Sequence, residues 1–121
     1  MKKILIVDDQ PDIRRLIHLT LDKQYEILEA GDGATALKMV CTSQPDAMIL
    51  DVMMPGEFDG FEVLKQIKGD PALKAIFVVM VTAKGQSADF ETGICAGADG
   101  YLVKPFSPLQ LMNMLQEQLG K

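Results

Sequence analysis

Five residues of this chain could do chemistry together if the fold brought them to one place. Asp8 and Asp9 follow the apolar run ILIV, Asp51 follows AMIL, Thr82 follows IFVVMV and Lys104 follows YLV. Each stands where a strand-like run stops. Three carboxylates in one crevice would raise the pKa of at least one of them unless a cation neutralised the group. A hard divalent ion such as Mg²⁺ takes a few carboxylate oxygens, keeps waters and leaves room for a phosphate oxygen. A hydroxyl and an ammonium suit the other oxygens of a phosphoryl group. Together these are the parts needed to place a phosphoryl group on a carboxylate. Each residue also has a plainer explanation: Asp8 or Asp9 as a helix cap, Asp51 as a turn former, Thr82 as a cap, Lys104 as a solvated end. One shared site accounts for all the positions at once.

For that site to exist, the strand ends must lie side by side. Strand-like runs recur at 4–7, 25–28, 47–50, 76–81 and 101–103, with helix-length segments between them, which is the pattern of a parallel α/β sheet. Ligands of such sheets bind outside the carboxyl ends of the strands, at the switch point of the strand order. The first helix opens at Pro11 and carries Ile13, Leu16, Ile17, Thr20 and Leu21 at helical spacing. The second follows Gly31-Asp32-Gly33 and stops before Pro45, with Leu37, Val40 and Cys41 expected inward. The third carries Phe61, Leu64 and Ile67. The last opens on Ser107-Pro108-Leu109-Gln110, a capping box with Pro at the first helical position. The fourth, at 87–96, is the weakest, because Gly93 costs about 1 kcal/mol against Ala and only Phe90 and Ile94 are apolar anchors.

Composition narrows the function classes. The 121 residues suffice for one domain with its own core. A net charge of −5 opposes a phosphate backbone, so no direct nucleic-acid binding is expected. No apolar run approaches a membrane span or a signal-peptide core, which makes a cytoplasmic chain with no membrane contact the expectation. Cys41 and Cys95 lack metal or redox spacing and read as buried thiols. The single histidine, His18, falls on the polar face with Arg14 and Asp22 and reads as solvated, and the eight methionines read as core filler.

The segments ILIVDD, MILDVMMPG, DGFEVL, VMVTA and AGADGYLVKPF, taken together, resemble the receiver domain of two-component response regulators over essentially the whole length. The resemblance implies a flavodoxin-like three-layer (βα)5 fold with strand order 2-1-3-4-5, as a single receiver domain over 1–121 with no effector domain. It implies Asp51 as phosphoacceptor, and Asp8, Asp9, Asp51 and the backbone carbonyl of Met53 as ligands of Mg²⁺, with Mn²⁺ as an alternative. Thr82 and Lys104 would serve the phosphoryl group, and Thr82 with Tyr101 would form the switch. Lys104-Pro105 would be a cis peptide, and Met53 and Lys84 would tune phosphoryl lifetime. The implied partners are a sensor histidine kinase or a histidine phosphotransfer protein, and a downstream protein reached through the fourth helix, fifth strand and fifth helix. The chain departs from the family by one extra residue, since Gly56, Glu57 and Phe58 intervene between Pro55 and Asp59 where two residues are usual.

Two other classes fail at named residues. A phosphohydrolase of the aspartyl-phosphate type wants an acid-base two residues past its nucleophile, and Met53 stands there. A flavodoxin-like cofactor protein wants Ser, Thr or Gly in the first loop, where Asp8 and Asp9 stand, and no G-x-G-x-x-G follows the first strand.

Overall fold

The computed structural model describes residues 2–52, 59–83, 97–104 and 106–119. Five strands form one parallel sheet: β1 (Lys3–Val7), β2 (Glu26–Ala30), β3 (Ala47–Asp51), β4 (Phe77–Ala83) and β5 (Gly100–Lys104). Their order is β2-β1-β3-β4-β5, so the chain reverses its direction of travel between β1 and β3. Helices α1 (Pro11–Leu21), α2 (Gly33–Ser43), α3 (Gly60–Lys68) and a C-terminal helix (Pro108–Leu119) cover the sheet. The helix expected at 87–96 lies outside the described residues, as do Met53, the Gly56-Glu57-Phe58 insertion, Lys84, Cys95 and Pro105.

Alternation along the strands divides the core. Ile4, Ile6, Ala47, Ile49, Val79, Val81 and Leu102 pack with Ile17 and Leu21 of α1 and with Leu111 and Leu115 of the C-terminal helix. Leu5, Val7, Met48, Leu50, Val78 and Met80 pack on the other face with Ala36 and Val40 of α2 and Val63, Leu64 and Ile67 of α3. β1 and β3 are thus apolar on both faces, as a central parallel strand must be.

The helix ends follow local chemistry. Asp32 caps α2, its carboxylate accepting from Thr35 N at 2.8 Å, and this bond holds the carboxyl below its usual range. Asp59 caps α3 by accepting from Glu62 N at 3.0 Å. Gln44 ends α2 in the left-handed region at φ 48°.

Two expectations need correction. Leu16 is 49 % exposed, and Cys41 is exposed rather than buried. Each adjoins a buried residue, Ile17 or Val40, and so lies about 100° round the helix from it. A helix laid on a sheet buries a narrower stripe than apolar spacing alone suggests. His18 stays half-exposed on the polar face as expected, and there it meets Glu29, with Nδ1 2.7 Å from Oε2.

Candidate functional site

Strand register sets the site. Val7 pairs with Leu50 and Asp51 with Val81, while Thr82 and Ala83 pair with Val103 and Lys104. The carboxyl ends of β1, β3, β4 and β5 therefore lie level, and the residues just past the apolar runs share one edge. Asp8, Asp51 and Lys104 continue the alternation of Ile6, Ile49 and Leu102, which brings them to the face that α1 and the C-terminal helix cover. Thr82 continues the alternation of Val78 and Met80 onto the opposite face, against which Tyr101 packs.

Asp8, Asp9 and Asp51 each offer a carboxylate oxygen within 4.8 Å of the others. Asp8 is 3 % exposed and Asp51 5 %, whereas Asp9 opens to solvent. Lys104 Nζ lies 3.3 Å from Asp8 Oδ2 and 3.5 Å from Asp51 Oδ2, bridging the two buried acids. One ammonium against three carboxylates leaves a formal charge of −2 in a mostly buried space. Burying net charge is costly unless a counter-ion compensates it. An all-oxygen donor set with that surplus suits a hard divalent cation, so the residues present fit one.

The capping explanation for Asp8 does not hold. Its Oδ1 accepts from Gln10 N at 2.8 Å, a turn within the loop, which leaves Oδ2 facing Lys104. Gln10 occupies the cap position of α1 and makes no side-chain cap bond.

Two contributors carried no signal as isolated residues. A Cβ on Gly60 would stand 2.3 Å from Asp51 O and 2.8 Å from Val52 Cα, so only glycine lets the start of α3 reach the backbone beneath Asp51. Gly60 N donates to Val52 O at 3.0 Å across that contact. Arg14 Nη1 donates to Asp8 O at 2.7 Å from the first turn of α1. Gly60 stood in the sequence only as part of the DGFEVL segment, which does not announce this close approach. Met53, Lys84 and Pro105, expected at or beside the site, lie outside the described residues.

Comparison with known proteins agrees with the geometry. The family model of the response regulator receiver domain matches residues 4–116. The alkaline phosphatase synthesis transcriptional regulatory protein PhoP of Bacillus subtilis is 43% identical over 91% of this chain and 45% of its own length. The phosphate regulon transcriptional regulatory protein PhoB of Pseudomonas aeruginosa is 40% identical over 99% of this chain and 52% of its own. The chain thus spans about half the length of the curated relatives it matches. Among solved structures, Vibrio cholerae chemotaxis protein CheY4 superposes with TM-score 0.88 at 37% identity, covering 97% of this chain and 98% of its own. The signal receiver domain of a signal transduction histidine kinase from Syntrophus aciditrophicus superposes with TM-score 0.92 at 29% identity, over 99% and 91% of the two chains.

Proposed function

This chain belongs to the response regulator receiver-domain family, a family of phosphorylation-operated signalling switches rather than classical enzymes, and from that premise we propose that Asp51 is the residue it phosphorylates. The observation that carries the reading is the bridge of Lys104 Nζ to Asp51 and Asp8 at the carboxyl edge of the sheet. Receiver domains partner with kinases, and the donor here would be a phosphohistidine of a sensor kinase or a phosphotransfer protein. An oxygen of Asp51 attacks phosphorus in line, the P–N bond breaks, and its electron pair leaves with the imidazole.

Each neighbour has a task in that step. Lys104 is already poised between the acids and can follow the phosphoryl oxygens with its point charge. Thr82, at the end of the adjoining strand, can donate its hydroxyl to another oxygen. Asp8, Asp9 and Asp51 would hold Mg²⁺, which when bound supplies positive charge against the transferring group. The shared face of Thr82 and Tyr101 supports a coupling between them, by which the phosphorylated state reaches the surface around β5 and the C-terminal helix. A protein partner reads that surface. Among the described residues no helix is long and apolar enough to cross a membrane.

The test is incorporation of phosphate from a small phosphodonor such as acetyl phosphate, with Mg²⁺ or with EDTA. Wild type is expected to incorporate phosphate only with the metal, and Asp51→Asn to incorporate none. Full labelling of Asp51→Asn, or labelling indifferent to EDTA, would contradict the assignment.

A further inference from the structure

The peptide joining the two adjacent acids is held from outside the site. Its carbonyl, that of Asp8, accepts from Arg14 Nη1 at 2.7 Å, and the peptide just before it is fixed by the Asp8 N–H, which donates to Ala30 O of β2 at 3.2 Å. Arg14 is itself pinned. Its Nε donates to Glu29 Oε1 at 3.1 Å, and the other oxygen of Glu29 lies 2.7 Å from His18 Nδ1, one turn along α1. A Cβ on Gly31 would come to 3.4 Å from Arg14 Nη1, so the guanidinium packs directly over that glycine. The cap position of α1 makes no side-chain bond of its own, which leaves the turn of Asp8 and the guanidinium to shape the loop between Val7 and Pro11.

This matters most for Asp9. The bond from Gln10 N sets the Asp8 carboxylate, whereas Asp9 is exposed and its direction follows the plane of the Asp8–Asp9 peptide. Resting on the cation reading above, we propose that Arg14 is a positioning residue for the divalent-cation site, acting through the Asp8–Asp9 peptide with Glu29 and His18 as its anchors. Arginine suits this task because its planar fork bonds a carbonyl and a carboxylate at once, while lysine offers a single point charge. Groups that back a metal ligand in this way typically change affinity ten- to a hundredfold.

Binding of Mn²⁺, followed by loss of the free ion's paramagnetic resonance signal, tests the proposal without any phosphodonor. Thermal midpoints in EDTA accompany each variant. Wild type is expected to bind and Asp9→Ala to bind poorly. Arg14→Ala should weaken binding about tenfold, Glu29→Gln by less, and Arg14→Lys should recover part of the loss. Because Arg14 acts through the Asp9 peptide, the double variant Arg14→Ala/Asp9→Ala should bind no more weakly than Asp9→Ala alone. Wild-type affinity in Arg14→Ala beside a loss in Asp9→Ala would overturn the proposal and leave the cation reading standing. Fully additive losses would also overturn it, by placing the effect of Arg14 elsewhere. Should Arg14→Ala unfold in EDTA, unchanged affinity in both Arg14→Lys and Glu29→Gln would be the overturning result. No binding by wild type would overturn the cation reading and the proposal together.

Discussion

Each polar atom of Asp8 has a partner: its N–H meets Ala30, its carbonyl meets Arg14, and its two carboxylate oxygens meet Gln10 N and Lys104. A buried acid satisfied this fully has one orientation, which a shared ligand requires. Tyr25 is the contrasting case. Its ring is buried and its hydroxyl has no hydrogen-bond partner among the described residues, and desolvation pushes the phenol above its usual range. Removing an unsatisfied buried hydroxyl relieves a desolvation cost, so Tyr25→Phe is expected to be neutral or to stabilise by about 1 kcal/mol in urea unfolding. A loss of 2 kcal/mol or more would reveal a partner for the hydroxyl. The sign of the pH effect follows from the raised pKa. The unfolded chain releases the phenolic proton first, so wild-type stability is fully present below a pH of about 10 and falls as pH rises toward the folded value. Tyr25→Phe should lack that part of the alkaline loss. At this scale Asp8, Asp9, Asp51 and Lys104 were legible because each ends an apolar run. Arg14 was not, because its use depends on a carbonyl that only the folded loop presents.

Elements carry the second kind of constraint. α3 must start against the backbone of Asp51 and Val52, and Gly60 alone permits it. Gly60→Ala is expected to destabilise by about 1–3 kcal/mol, as overpacking does, and to slow labelling of Asp51 because the β3 backbone must shift. Unchanged urea midpoint and labelling rate in Gly60→Ala would show that the contact yields freely. At the far end of α3, Lys68 Nζ donates to Lys74 O, Ile76 O and Asp99 Oδ2 at 2.9, 2.7 and 2.7 Å, and the same Asp99 oxygen accepts from Val78 N at 2.9 Å. This ties α3, the start of β4 and the turn into β5 at the edge opposite the site. Lys68→Met removes charge-assisted bonds and is expected to cost about 2 kcal/mol with little effect on metal affinity. Equal losses of stability and of metal binding would instead link the two edges. Helix faces were readable from spacing only to a point. Ile17, Leu21 and Val40 are buried as spacing suggests, but Leu16 and Cys41 face outward because a sheet shields a narrow stripe. Likewise, Lys68 and Asp99 are unremarkable charges until the loops they join are folded.

For the whole molecule, one topological fact does most of the positioning. Placing β1 beside β3 sets the first and third strand ends next to each other, and Asp51 and Lys104 then need only the alternation of their strands to converge. The layered α/β plan was legible because the strand-like runs and the segments between them alternate along the whole chain. The strand order came from family resemblance, since no local residue pattern encodes which strands are neighbours. We propose that this edge directs a phosphoryl group to one carboxylate among several close together. Direct site mapping tests it best: phosphorylate with acetyl phosphate and Mg²⁺, reduce the acyl phosphate with borohydride, and locate the resulting homoserine by peptide mass spectrometry. The expected result is homoserine at position 51 alone. Homoserine at Asp8 or Asp9, with Asp51 intact, would contradict it.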